Sequence, residues 1–393
     1  MSRNHDNFAD LITFTRASTA TFVGSNGLIQ SATTNTPRID FDPVTKDRKG
    51  LLIEESRTNL TTQSESFSNF ALRDVTLTQN ATTAPDGTNN AVKIVENSDN
   101  DDHYIHATIT ITSGATCTLS AFLKQSESNR HGYLRTGSEG TTTYIVVDLS
   151  NGTVSETGSD VTSSSVQNFG NGWYRASFTY TNAGDTASGI IIGISNSTTP
   201  SSDFPVYTGD GSSGIFVFGA QFEEGAFPTS YIPTSGSTAT RAADAASIAT
   251  SAFGYNQDEG TLVTEAQTFL ANNSHRILSI NDGSSSNQII LMAHTTNHLF
   301  VGVGGATQGF CDAGFYDPNV FRKHAAAYQE DHFAACIDAG TVATDSSGTV
   351  PTVNVMNIGS AFLSSFGFLN GHIKKLQYFP RRLSDTQLQE ITR

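Results

Sequence analysis

The chain has 393 residues, long enough for two or three domains with real cores, and a formal net charge of −15 with no compensating Lys/Arg run. That balance makes nucleic acid and anionic membrane surfaces poor partners, since phosphate binding needs a basic footprint. Only 15% of residues are charged, while Ser, Thr, Asn and Gly are abundant, so β-structure and turns are favoured over helix.

The opening segment, residues 1–62, predicts two hairpins. "TATFVGSNGLIQSA" sets Ser25-Asn26-Gly27 between apolar flanks, and "RIDFDPVTKDRKGLLIEES" places Asp42-Pro43 and Gly50 around a charged loop. The segment is too small for a core of its own, so it either packs on a neighbour or serves for attachment. "MSRNHDNFADLITFTRAS" lacks the features of a signal peptide, and no apolar run approaches membrane-spanning length; cytoplasmic synthesis and a soluble product are expected.

Residues 63–235 alternate in short apolar/polar runs, "HYIHATITITSG", "TCTLSAFLKQS", "TYIVVDLSNGTV", "GWYRASFTYTNAG", "GIIIGISN" and "IFVFGAQFEEG", spaced as in an antiparallel sandwich. "YIPTSGSTATRAADAAS" then reads as a crossover, with residues 236–250 as the linker proper, because Pro233 and the Ser/Thr/Gly cluster disfavour helix and central strand. Strand signals return over 251–393, from "GTLVTEAQTFL" to "GHIKKLQYFPRRLSDTQLQEITR". There Leu376 and Tyr378 share one face of a strand, and Pro380 ends it. Ser384 with Gln387 forms a capping box for a terminal helix, and Leu383 with Leu388 forms a staple. The predicted class is therefore all-β: two antiparallel sandwiches after a hairpin segment, with one short C-terminal helix.

Chemical motifs are sparse. His294 and His298 in "HTTNH" have the spacing of a zincin helix, but Thr295 stands where the catalytic Glu would be and the flanks read as strands, so surface-loop histidines are the better reading. "VGVGGATQG" lacks the third dinucleotide-type glycine and fits a tight turn. Glu54-Glu55 and Glu223-Glu224 are neighbours on a strand and point to opposite faces, which is not the facing pair that glycoside hydrolysis needs. No GxSxG elbow is present. "NSDNDDHYIH" clusters Asn97, Asp99, Asn100, Asp101 and Asp102; a solvated turn is favoured, no cofactor is required, and calcium is worth a test. Cys117, Cys311 and Cys336 suggest free buried thiols, with a Cys311–Cys336 bond left open. For sugar stacking, Tyr104 (beside His103 and His106) and Tyr133 sit near turn signals and are surface candidates. Trp173, the only Trp, is a weaker one because a sandwich usually buries such a ring.

Three stretches carry a family likeness. "FTRASTATFVGSNGLIQSATTNTPRIDFDPVTKDRKGLLIEESRTNL", "GAQFEEGAFPTSYIPTSGSTATRAAD" and the closing "GHIKKLQYFPRRLSDTQLQEIT" occur in that order. The chain resembles bacteriophage virion proteins, chiefly tail fibre or tail-associated adhesins. In them an opening module precedes a carbohydrate-binding-module-like jelly roll and a concanavalin/laminin-G-like sandwich. The resemblance implies a non-enzymatic virion protein that attaches to other virion proteins through residues 1–62 and binds host-surface glycan, as a homotrimer. It carries no motif that assigns ligand residues, and the absence of a fibrous shaft leaves room for a capsid decoration or tail-assembly protein. A polysaccharide depolymerase is the enzymatic alternative.

Overall fold

A computed structural model describes residues 10–126, 129–137, 142–270, 275–293, 298–314, 317–361 and 367–393. The fold is two antiparallel β-sandwiches and one short C-terminal helix. Among the described residues no helix is long and apolar enough to cross a membrane.

The first sandwich faces a six-stranded sheet against a sheet built around Asn100–Thr110, Ala187–Ser195, His131–Thr136 and Thr143–Asp148. The six strands run in the order Val161–Gly170, Trp173–Thr181, Thr116–Gln125, Gly214–Glu224, Ala91–Glu96 and Val75–Thr82. Alternation puts Ile105, Leu134, Ile145, Ile190 and Ile192 of one sheet against Leu119, Phe178, Val217 and Phe222 of the other. Full burial of each such side chain contributes about 1.5–3 kcal/mol.

The second sandwich packs two seven-stranded sheets around Leu262, Ile280, Ile289, Leu291, Val301, Tyr328 and Ile358. The opening segment is woven into both sheets. Thr13–Thr15 pairs with Ala245–Ala249 at the edge of one, and Arg48–Ile53 pairs with Gly371–Phe379 in the other, with Ile39–Phe41 outside it. The final strand is thus interior, flanked by the N-terminal hairpin on one side and Glu259–Thr268 on the other. Gly50 permits the close approach: at φ +109, a Cβ there would lie 2.2 Å from the Ile373 carbonyl oxygen. The other predicted hairpin, Ala20–Val23 with Ile29–Ala32, lies on the first sandwich. Of the two roles left open for residues 1–62, packing on neighbours is the one the strand pairing displays.

The stretch read as a linker is partly strand. Ala239–Arg241 pairs with Arg57–Asn59, and Ala245–Ala249 lies between Thr13–Thr15 and Val355–Ile358. Pro233 and Gly236 lie before either begins, so local propensity was overridden only beyond them.

The terminal helix, Asp385–Ile391, has the expected cap: Gln387 N–H donates to Ser384 Oγ at 3.3 Å and Ser384 N–H donates to Gln387 Oε1 at 3.0 Å. Leu383 and Leu388 are buried against Val263, Ala325, Ala334 and Cys336. The helix covers the outer face of a sheet. "VGVGGATQG" is a hairpin turn, with Gly304 and Gly305 at φ +58 and +84 and Val303 opposite Ala306. All three cysteines are free and buried, and burial pushes the Cys117 and Cys311 thiols up to about 11 and about 12.

Candidate ligand-binding cleft

The outer face of the six-stranded sheet has two halves with different chemistry. Along Trp173–Thr181, Ala176, Phe178 and Tyr180 point into the core, which leaves Trp173, Arg175, Ser177 and Thr179 outward. Cross-strand register continues these positions as rows: Ser163, Thr179, Thr118 and Glu223; then Ser165, Ser177, Ser120 and Gln221; then Gln167, Arg175, Phe122 and Phe218. The aromatic half is covered. Val23 and Ile29 of the N-terminal hairpin bury Phe122, Phe169, Trp173 and Phe218 together with Tyr231.

The hydroxyl half is the floor of a cleft of about 700 Å³ between the two sandwiches and the opening segment. Its walls include Phe22, Phe227, Phe269, Asp40, Asn319 and His372. Hydrogen bonds order the floor: Ser165 and Ser177 hydroxyls lie 2.9 Å apart, and Thr118 and Thr179 hydroxyls 2.8 Å apart. Arg175 donates from Nη2 to Ser120 Oγ at 3.1 Å and lies over the Phe122 ring, 5.4 Å from its centroid. Burial pushes its guanidinium down from the ordinary arginine range, opposed by the charges of Glu223 and Glu54. On the facing wall His372 and Asp40 are joined from Nε2 to Oδ2 at 2.8 Å, and Asp40 Oδ1 accepts from Val23 N–H at 2.6 Å.

A buried charge network holds the back of the cleft. Arg16 meets Asp244 at 3.0 Å, Arg38 meets Glu54 at 2.7 Å and also Asp244, and all four side chains are fully enclosed. Arg241 approaches Glu54 at 3.5 Å. Burial pushes the Glu54 carboxyl up, but Arg241, Arg38 and hydrogen bonds from Ser230 outweigh it and hold the group well below the usual carboxylate range. Glu223 has no such cation at contact. Burial raises its carboxyl, partly offset by the Thr229 N–H at 2.6 Å and hydroxyl at 2.7 Å. Glu54 and Glu223, distant in sequence, thus converge on the turn at Thr229-Ser230, each with its oxygens already bonded. Their neighbours Glu55 and Glu224 point away, to Arg57 and to Thr112; alternation along Gly214–Glu224 turns Glu224 aside, whereas Glu54-Glu55, read as strand neighbours, lie just past the end of Arg48–Ile53.

The residues singled out for sugar stacking are not brought together here. Trp173 is 1% exposed, its Nε1–H donating to the Thr83 carbonyl at 2.9 Å, so its faces are closed to a sugar. Tyr133 is equally enclosed, because it lies in mid-strand beneath Asp203, to whose carbonyl its hydroxyl donates, and beside Tyr144. Tyr104 is half-buried in mid-strand near His106 and Phe204, on the far sheet of the first sandwich. His103 is buried, with Nδ1 2.8 Å from the Asp74 carbonyl oxygen.

In the acidic cluster, Arg73 takes up Asp101 at 2.8 Å and Asp102 at 3.1 Å, and Asn97 bonds Asp74 and Asp99. Among the described residues no group of three or more His, Cys, Asp or Glu is placed to hold a metal ion. His294 lies outside the described residues. His298 is buried, with Nδ1 accepting from Ala313 N–H at 3.0 Å, and the surface position expected for it is corrected: it sits under the strand at Cys311, whose carbonyl accepts its own backbone N–H.

The floor residues Ser163, Ser165, Gln167, Arg175, Ser177 and Thr179 were missed. The only signal for Arg175, Ser177 and Thr179 was the polar phase of "RASFT", and for Ser163, Ser165 and Gln167 the polar run "TSSSVQ"; both are also what a solvent face looks like.

No protein-family model and no curated protein matches the chain. Among solved structures, mouse laminin α1 domains LG4-5 align over 74% of this chain and 92% of theirs at 10% identity, with a TM-score of 0.23. The N-terminal CBM22 tandem of Paenibacillus barcinonensis Xyn10C aligns over 83% and 98% at 7% identity, TM-score 0.27. Laminin α2 LG1-3 aligns over 73% and 66% at 9% identity, TM-score 0.21. Overlaps of that size do not define a fold; the sandwich architecture rests on the strand pairing itself.

Proposed function

We propose that the protein is a non-enzymatic glycan-binding protein and that the cleft between its sandwiches is the ligand site. The cleft itself carries this reading: its floor offers hydroxyl and amide groups in register, and its walls offer the rings of Phe22, Phe227 and Phe269. Sugars need both, donors and acceptors for their hydroxyls and apolar surface for their C–H faces. The carboxylates at or behind the cleft, Asp40, Glu54 and Glu223, are each committed to hydrogen bonds within the fold, which favours binding over hydrolysis.

The finer reading rests on the sequence resemblance. The protein is proposed to be a tail fibre or tail-associated adhesin of a phage virion that binds host-surface polysaccharide, with a homotrimer raising weak single-site affinity by multivalency. The test is binding of purified protein to a bacterial-glycan array, with and without calcium, while mass spectrometry follows polysaccharide length. Binding without shortening is expected. Shortening would replace the reading by a depolymerase, and silence would replace it by a capsid-decoration or tail-assembly role.

A further inference from the structure

Resting on the glycan reading of the cleft, we infer that the ligand is acidic, and that Arg175 receives a sugar carboxylate. Most arginines enclosed by this fold have a carboxylate partner: Arg16, Arg38, Arg57, Arg130, Arg135 and Arg241 all lie within 4.0 Å of an Asp or Glu. Arg175 lines the cleft and forms no ion pair among the described residues. One of its nitrogens donates to a neutral hydroxyl, Ser120, and its buried Nε has no acceptor.

The acids around it are engaged elsewhere. Glu54 is taken by Arg38 and Ser230, Glu223 by Thr229 and Gln221, and Asp40 by His372. A guanidinium taken partly out of water with one neutral acceptor and an unbonded Nε is costly unless an anion meets it, and its planar fork matches a carboxylate in two parallel hydrogen bonds. The groups flanking Arg175 are polar but neutral: Gln167 directly across the strand pair, then Ser165 and Ser177 in the next row. None of these flanking groups is an anion, and the carboxylates that reach Arg175 by charge, Glu223 and Glu54, are bonded elsewhere, while the hydroxyls serve the rest of the ring. Phe122 beneath Arg175 holds the guanidinium plane in place. The ligand class is therefore a polysaccharide containing uronic or sialic-type acids.

The test uses the full chain and a panel of bacterial polysaccharides, neutral and acidic, with each acidic member also supplied in carboxyl-reduced form. Acidic members are expected to bind at least tenfold more tightly than their reduced counterparts, with affinity falling as salt rises. Arg175→Gln should abolish that difference and Arg175→Lys should restore part of it. Carboxyl reduction alters only the ligand, so this comparison stands even if a variant folds poorly. Equal binding of native and reduced forms would overturn the acidic-ligand inference and leave the glycan reading in place. Silence across the whole panel would remove the glycan reading and this inference with it.

Discussion

At the scale of single residues, the enclosed charges and rings set the behaviour of the cleft. Asp244 accepts from Arg16, from Arg38 and from the Glu54 backbone N–H. Asp244→Ala should therefore leave the buried Arg16 without a carboxylate and Arg38 with Glu54 alone, and cost about 3–5 kcal/mol, as measured by chemical denaturation. Glu54 has a carboxyl pKa below its unfolded value, so the unfolded chain binds the extra proton as pH falls and folding loses support. Its contribution is complete above about pH 4.3, the ordinary glutamate value, and declines below it. Thermal melts from pH 6 downward should show the loss setting in there, and Glu54→Gln should flatten that acid limb. Trp173 gives a third check. As the only Trp, enclosed under the hairpin, it should emit at short wavelength and resist acrylamide quenching. Trp173→Ala should cost about 3–5 kcal/mol of stability, because it removes packing between the hairpin and the sheet.

At the scale of elements, the opening segment and the terminal helix make opposite kinds of contribution. Deleting residues 1–62 removes Arg48–Ile53 from beside the final strand and uncovers Phe122, Trp173 and Phe218. Loss of the cooperative melting transition is the expected outcome; two sandwiches that still melted cooperatively would show that the segment serves attachment alone. The helix is a local device. Ser384→Ala should cost roughly 1 kcal/mol by removing one cap acceptor. Leu388→Ala should cost about 2–5 kcal/mol by opening a cavity over the sheet. Denaturation midpoints of the pair separate capping from packing.

At the scale of the whole molecule, the class of fold was legible because strand periodicity and turn chemistry are written in neighbouring residues. The pattern of Leu376 and Tyr378, the Ser384/Gln387 cap and the Gly304-Gly305 turn each involve residues within a few positions of one another, and each is present. The cleft was not legible in the same way. Alternation assigns Arg175, Ser177 and Thr179 to an outward face, but outward from a sandwich can mean solvent or the flank of another domain. That distinction depended on Asp40, from the opening segment, and His372, from the last strand, meeting across the chain at 2.8 Å. Tyr133 failed as a surface ring for the same reason, covered by a loop at Asp203 from far away in sequence, while Trp173 has the burial that a sandwich usually gives such a ring, here under the hairpin at Val23 and Ile29. Sequence by itself determined the strands, the turns, the capped helix and the all-β class, since these follow from local sterics and hydrophobic period. Only tertiary structure decided which polar face became a cleft and that Arg175 has no carboxylate partner among the described residues, because burial and charge pairing are made by residues that the chain brings together only on folding.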